Sequence, residues 1–272
     1  MSPSTIYLIT GASRPCGIGI ASFSVIHSRI CSHCLAFAAL TPPKNENAFI
    51  YVTARDLSKK SSLDDLKAKY PNRGAIITWI AANVESNTAL AKEIEERHRK
   101  VDILLSALLS GAGKVHEADI SASPWEDHFK ANVLGPTVLF KSIYELLKKS
   151  SNPRFIPISS MSGSLVALIH LDMRNTAYAS TKATLNYIAP KIHFENEWLG
   201  VQTTHCLDWH VKDDHIILTH PSGSLNKIVE QFGKFPTADK AAVLLLKIID
   251  ESTTREKDDG QFINLDGARI PW

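Results

Sequence analysis

The sequence predicts a single-domain α/β protein with a doubly wound, seven-stranded parallel sheet and helices on both faces. Three observations support this prediction. Short apolar runs alternate with longer segments of helical periodicity along the 272 residues. Most of the runs are apolar at every position, as expected for strands that are buried on both faces of a parallel sheet. The first run ends in a glycine-containing turn before an apolar helix start, which is typical of nucleotide-binding sheets.

Each predicted element follows from its local pattern. Apolar runs bounded by turn residues predict strands over 6–9, 49–53, 75–81, 103–105, 154–159, 201–206 and 261–265. Apolar residues at spacings of three and four predict helices over 57–70, 88–100, 125–149, 177–198 and 237–251. No internal repeat or low-complexity linker divides the chain, so one domain is expected.

Two segments do not fit the alternation. Residues 28–48 lack a clean period and contain a Pro-Pro pair, which indicates an insertion before the second strand. Residues 209–236 are polar and rich in His, and they follow the sixth strand, where ligands bind in sheets of this kind. We therefore expect residues 209–236 to form a substrate loop.

Composition excludes several classes of protein. The 30 Lys and Arg nearly balance the 28 Asp and Glu, for a formal net charge of +2, so a dedicated nucleic-acid binder is not expected. A hydrophobic content of 44% indicates a globular domain. Four Cys are too few for a secreted disulfide framework, and no stretch is apolar for long enough to span a bilayer. We expect a cytoplasmic protein with no membrane partner.

A small group of candidate soft metal ligands lies immediately before and within the inserted segment, namely His27, Cys31, His33 and Cys34. Their spacing differs from that of common structural zinc sites, and no second ligand pair follows. Ordinary thiols in a loop or an extended helix are the alternative, and no metal site is expected.

The turn after the first strand contains candidate phosphate-binding residues. Glycines at such a turn let the backbone approach a pyrophosphate, and the helix that follows offers unpaired N–H groups. A tight turn without any ligand is the alternative. The candidates are Gly11, Ser13, Arg14, Gly17, Ile18 and Gly19.

Tyr178 and Lys182 are four residues apart near the start of a predicted helix. At this spacing both side chains lie on one helix face, so an ammonium beside a phenol would lower the pKa of that phenol. A packed Tyr beside a solvated Lys is the alternative. Upstream, Ser160 lies in a serine-rich turn after a predicted strand, and Asn132 lies in the preceding helix.

Four motifs in this order, TGASR with GIG, NVLG, SSMSG and YASTK, resemble the short-chain dehydrogenase/reductase family over nearly the whole chain. The stretches 186–198 and 260–272 are similar to the fungal polyketide ketoreductases typified by norsolorinic acid ketoreductase. The resemblance implies a Rossmann-type NAD(P)-binding domain that assembles as a homodimer or homotetramer. It also implies NADPH-dependent reduction of a ketone on a bulky, aromatic polyketide in fungal secondary metabolism.

The resemblance implies one role for each of four catalytic residues. Tyr178 would protonate the carbonyl oxygen as general acid. Lys182 would bind the nicotinamide ribose and lower the pKa of Tyr178. Ser160 would hydrogen-bond the carbonyl, and Asn132 would anchor the water through which Lys182 is reprotonated.

Charge at the end of the second strand indicates the cofactor. Relatives that bind NAD place an Asp where this chain has Thr53, whereas Arg55 and Arg14 offer two guanidinium groups for a 2′-phosphate. We expect NADP(H), and an ordinary surface location of either Arg is the alternative. The resemblance also places Asn83 and Val84 against the adenine.

Several departures from the family pattern favour a second reading. Pro15 alters the glycine turn, the family's Asn-Ala-Gly is replaced over residues 106–110, and Leu207 and Asp208 replace a Pro-Gly pair. The alternative function is therefore a related scaffold with impaired turnover, or with a dehydration or cyclisation activity that consumes no hydride.

Overall fold

Parallel strands separated by helices make up most of the described chain. The computed structural model describes residues 5–11, 47–55, 68, 71–107, 122–171, 175–205, 211–212, 215–216, 238–251 and 260–272. The strands are β1 (Thr5–Thr10), β2 (Ala48–Ala54), β3 (Gly74–Thr78), β4 (Ile103–Ser106), β5 (Arg154–Ser159), β6 (Gly200–Val201), β7 (Thr203–His205), β8 (Val211–Lys212), β9 (His215–Ile216) and β10 (Phe262–Ile263). The helices are α1 (Val84–Arg97), α2 (Ala122–Phe129), α3 (Gly135–Lys148), α4 (Thr176–Glu195) and α5 (Ala238–Glu251), with a π-helical turn over Lys130–Leu134 and a 3₁₀ turn over Met161–Gly163.

The main sheet has the strand order β10-β7-β5-β4-β1-β2-β3, and every pairing along it is parallel. The chain runs outward from β1 to β3 and then returns to place β4 on the other side of β1. This reversal creates a crevice at the carboxyl ends of β1 and β4, where open α/β sheets bind ligands. The prediction of a doubly wound parallel α/β sheet is confirmed.

Apolar side chains cover both faces of the sheet. On one face, Ile9 and Val52 pack with Leu246 and Ile249 of α5. The opposite face packs against α1, α3 and α4, and its fully buried members include Leu8, Leu90, Ile94, Leu139 and Ala189. Because successive strand residues point to opposite faces, a strand buried on both sides is apolar throughout.

Most element boundaries differ from the sequence prediction by a few residues, and three differences have a structural cause. Helix α1 begins at Val84 rather than at residue 88, because the Asn83 side chain caps it by accepting a hydrogen bond from the Ser86 amide at 2.7 Å. The helix predicted over 125–149 contains the π-helical turn between α2 and α3. The strand predicted over 201–206 is interrupted at Gln202, where β6 gives way to β7.

Other predicted segments lie largely outside the described residues. They include the helix over 57–70, most of the insertion over 28–48, the four candidate metal ligands, and most of the loop over 209–236. Within that loop, β8 and β9 form a short antiparallel pair. Among the helices that the structure describes, none combines the length and hydrophobicity needed to cross a membrane.

Candidate active site

The carboxyl end of β5 delivers Ser160 into a tight turn. Its hydroxyl accepts a hydrogen bond from the Ser162 amide at 3.2 Å, and its carbonyl accepts one from the Gly163 amide at 2.9 Å. The Ser160 side chain therefore caps the 3₁₀ turn, and the residue is 8% exposed. A hydroxyl held in this way has a defined position beside the crevice.

Gly163 sets how closely this turn approaches α4. A Cβ atom at residue 163 would lie 2.6 Å from both the Ala183 nitrogen and the Lys182 carbonyl carbon. Both of these atoms belong to the helix backbone and cannot move aside. A glycine is therefore required for the turn that begins at Ser160 to pack directly against the part of α4 that contains Lys182.

Helix α4 presents Tyr178 and Lys182 one turn apart. The Lys182 Nζ lies 5.7 Å from the centre of the Tyr178 ring and donates a hydrogen bond to the Ile158 carbonyl at 2.8 Å. Lys182 is fully buried and Tyr178 is 7% exposed. The spacing seen in the sequence thus places an ammonium beside a phenol in a buried environment, where electrostatic interactions are stronger than in bulk water.

Asn132 lies in the π-helical turn and is fully buried. Its Nδ2 donates to the Thr181 hydroxyl at 3.0 Å, and that hydroxyl donates to the Tyr178 carbonyl at 2.7 Å. Isolated π-helical turns often occur at functional sites. Here the turn ties Asn132 to the helix that carries Tyr178 and Lys182, so the four predicted catalytic residues belong to one packed unit.

Sequence reasoning missed His128, which lies on α2 and is 5% exposed. Its ring meets the Tyr178 ring nearly edge-on, with the ring centroids 6.2 Å apart. Burial lowers the pKa of His128; the Asp127 carboxylate opposes this shift and the Lys182 ammonium adds to it. His128 could have been identified from the sequence, because it lies one helical turn before the predicted catalytic residue Asn132.

Two buried hydroxyl groups lie at the crevice at the ends of β1 and β4. Thr10 and Ser106 are paired in register, and both residues are buried. Neither hydroxyl has a hydrogen-bond partner in the described part of the chain. Gly11 follows Thr10 with a φ of 83°, a conformation that suits glycine. Buried hydroxyls without partners at this edge fit a polar ligand.

The remaining candidate cofactor residues divide into three groups. Arg55 is exposed directly after β2, beside this crevice. The Asn83 oxygen caps α1, while Val84 beside it is 62% exposed. Five further candidates lie outside the described residues, namely Ser13, Arg14, Gly17, Ile18 and Gly19.

Exposed apolar side chains follow the 3₁₀ turn. Leu165, Val166 and Ile169 are each more than 60% exposed, although they are large and aliphatic. Trp125 on α2 is also partly exposed. Contiguous exposed apolar surface often marks a binding region.

Comparisons with known proteins agree with this geometry. The family profile described as short chain dehydrogenase matches residues 43–207. The chain is 27% identical to the short-chain dehydrogenase RED3 of Pyricularia oryzae over the full length of both proteins. It is 26% identical to norsolorinic acid ketoreductase of Aspergillus parasiticus, covering 98% of this chain and 91% of that protein. The crystal structure of NADPH-bound carbonyl reductase from chicken fatty liver superposes with a TM-score of 0.74 at 21% identity, covering 99% of each chain.

Proposed function

Because the chain belongs to the short chain dehydrogenase family, we propose that it is an NADPH-dependent reductase of a ketone on a bulky, aromatic polyketide. The family assignment makes it an oxidoreductase, which confirms the resemblance seen in the motifs. The observation that carries the finer proposal is the buried Lys182 ammonium beside the Tyr178 phenol. Such a pair serves to move a proton at near-neutral pH.

The proposed mechanism assigns one task to each side chain. The bound cofactor supplies the hydride. The Ser160 hydroxyl and the Tyr178 phenol hold the substrate oxygen, and Tyr178 transfers its proton to that oxygen as negative charge develops. The Lys182 ammonium stabilises the resulting phenolate. Asn132 keeps α4 in register through Thr181 and anchors the water that returns a proton to Lys182.

The residues at the crevice fit NADP(H). The hydroxyls of Thr10 and Ser106, which have no partner among the described residues, supply polar groups at the sheet edge. The exposed Arg55 guanidinium supplies a cation where a 2′-phosphate would lie. Arg14, Ser13 and the glycine turn are proposed to complete the site, with Asn83 and Val84 near the adenine.

The substrate class is supported by surface chemistry and by the relatives. Leu165, Val166 and Ile169 expose aliphatic surface on the segment that follows Ser160. A planar, apolar substrate would cover such a surface, and residues 209–236 are proposed to form a loop on the substrate side. The matched relatives include proteins named norsolorinic acid ketoreductase.

We also propose that the protein is cytoplasmic and forms a homodimer or homotetramer. The outer faces of α3 and α4 form a groove that includes Phe140, Tyr144 and Ile188. Tyr187 in this groove is 71% exposed, and nearby Phe194 is 63% exposed. A second copy of the chain would bury this apolar surface.

The first experiment measures nucleotide binding by fluorescence for the wild type, Arg55→Ala and Arg99→Ala. Arg99 is the matched control, because it is exposed just after α1, at the opposite edge of the sheet. We expect micromolar NADPH binding that Arg55→Ala weakens more than about tenfold, which corresponds to about 1.4 kcal/mol. Binding of NADH should not change in either variant.

The second experiment measures NADPH oxidation with a panel of quinones, aldehydes and aromatic ketones. Tyr178→Phe should lower the rate by at least about a hundredfold, the usual contribution of a positioned general acid, while leaving NADPH binding intact. If the wild type reduces no compound of the panel faster than Tyr178→Phe does, the reductase proposal is refuted. A product formed without NADPH consumption would instead support dehydration or cyclisation.

A further inference from the structure

Ser159 lies between two residues that contact helix α4, and the proposed mechanism assigns it no role. Before it, the Ile158 carbonyl accepts a hydrogen bond from Lys182 Nζ, and after it, Ser160 starts the turn that packs against α4. Ser159 itself is fully buried. Its hydroxyl lies 3.4 Å from the Lys182 carbonyl and makes a very short contact with the Asn186 side-chain amide.

Asn186 lies one helical turn beyond Lys182 and is 5% exposed. Its oxygen faces Ser159, and its Nδ2 has no hydrogen-bond partner in the described part of the chain. The single hydroxyl hydrogen of Ser159 would have to be shared between two acceptors, which weakens both bonds. With the amide turned by half a rotation, Nδ2 donates to Ser159 Oγ, and that hydroxyl donates to the Lys182 carbonyl. This arrangement gives partners to the amide nitrogen and the hydroxyl, and it places Oδ1 at the buried position where no hydrogen bond is made in the described residues.

Two hydrogen bonds therefore connect the Asn186 amide, through the Ser159 hydroxyl, to the backbone of Lys182. It joins β5 to α4 immediately beside Ser160 and at the residue whose ammonium faces Tyr178. The bond from Lys182 Nζ to Ile158 depends on the same local distance between β5 and α4. Relaxing the Ser159 contact would let this helical turn move away from the strand.

We propose that Ser159 and Asn186 are a positioning pair that fixes the turn of α4 carrying Lys182 against β5, and so sets the distance between Lys182 Nζ and the Tyr178 ring. The proposal deepens the proposed function and rests on it for its effect on turnover. Among the described residues, Lys182 from the same helix and His128 from α2 are titratable groups that lie beside the Tyr178 ring. A shift of Lys182 changes the positive charge near the phenol, so ionisation of Tyr178 reports on the pair.

The test compares Ser159→Ala, Asn186→Leu and the double variant with the wild type. Ser142→Ala is the matched control, because its hydroxyl bonds the Val138 carbonyl on α3, outside the site. The first readout is the ionisation of Tyr178, which is measured from the absorbance of the phenolate. The signal of Tyr178 is the difference between each protein and the same protein carrying Tyr178→Phe. Each single variant should raise the pH of ionisation by about half a unit to one unit, because the ammonium moves away.

The second readout is turnover. Each single variant should lower kcat about five- to tenfold, which corresponds to one buried hydrogen bond, and change KM for NADPH less than about twofold. The double variant should be no worse than the more affected single variant, because both substitutions remove the same connection. Ser142→Ala should match the wild type in both readouts.

Folded variants that keep the wild-type Tyr178 titration would overturn the proposal, as would single effects that multiply in the double variant. If Asn186→Leu does not fold, the smaller truncation Ser159→Ala decides the matter alone. The titration needs neither cofactor nor substrate. A wild type that reduces no carbonyl compound would therefore refute the proposed function, while the positioning pair is judged separately.

Discussion

At the amino edge of the sheet, the Asp102 carboxylate accepts hydrogen bonds from the Ile6 amide at 2.8 Å and from the Ser150 hydroxyl, and it pairs with the Lys100 ammonium at 3.0 Å. At the carboxyl edge of the same strands, the hydroxyls of Thr10 and Ser106 are buried and have no partner in the described residues. One edge uses its buried polar groups to join β1, β4 and the end of α3. The other edge retains polar groups that a ligand can satisfy, and it lies at the reversal in strand order.

The contrast distinguishes an edge of the sheet that stabilises the fold from an edge that can bind a ligand. Removing a buried carboxylate that satisfies several donors is strongly destabilising, whereas a buried hydroxyl without a hydrogen bond itself lowers stability. Functional sites commonly keep such unfavourable groups because a ligand compensates for them. A substitution that removes the Asp102 carboxylate should therefore lower the stability of the fold. A substitution that removes the Thr10 hydroxyl should lower ligand affinity without lowering stability.

The largest effect is expected from Asp102→Ala. Removing the carboxylate leaves a buried amide, a hydroxyl and a partly buried ammonium without their common acceptor, so the free energy of unfolding should fall by about 2–4 kcal/mol. Urea denaturation measures this change. Glu96→Ala, which removes an exposed carboxylate on α1, should stay within about 0.5 kcal/mol of the wild type. Equal stabilities for the two variants would contradict the assigned role of the amino edge.

Gly163→Ala should be next in size. The added Cβ would meet the backbone of α4 at 2.6 Å, so the 3₁₀ turn must move outward. We expect a loss of about 1–3 kcal/mol in the free energy of unfolding, as for other overpacked sites, together with reduced turnover. Ser162→Ala in the same turn is the control and should have a smaller effect on both measurements. Full activity and stability in Gly163→Ala would show that the close approach is unimportant.

Thr10→Val tests the carboxyl edge. Replacing a buried hydroxyl that has no partner in the described part of the chain by a methyl group should leave stability unchanged or raise it by up to about 1 kcal/mol. The matched control is Thr137→Val, whose hydroxyl donates to the Val133 carbonyl at 2.7 Å; it should lose about 1 kcal/mol. NADPH affinity, measured by fluorescence, should fall only in Thr10→Val. A destabilised Thr10→Val protein would remove the contrast between the two edges.

The smallest effect is expected from pH. Burial lowers the pKa of His128, so the folded state favours the neutral imidazole. Its contribution to stability is complete above the ordinary His pKa of about 6.5 and is lost as pH falls through the lower pKa of the folded state. The free energy of unfolding should decline between pH 7 and pH 5 more steeply in the wild type than in His128→Phe. Parallel declines would show that protonation of His128 is not linked to unfolding.

The sequence alone determined the alternation of strands and helices and the order of the motifs. Strand β5 spans the predicted residues 154–159, and the spacing of Tyr178 and Lys182 placed both on one helix face. These features could be predicted because strand and helix periodicities are local properties of the chain. The start of α1 was predicted four residues too late, because the capping signal of Asn83 was not recognised.

Only the tertiary structure decided which side chains meet. The Asn132 amide reaches Thr181 across 49 positions of the chain, and the Asp102 carboxylate reaches the Ile6 amide across 96. The contacts of Ser159 with Asn186 and of His128 with Tyr178 likewise join separate elements. No periodicity encodes such pairs, because they depend on how the strands are ordered and how closely the helices pack against them.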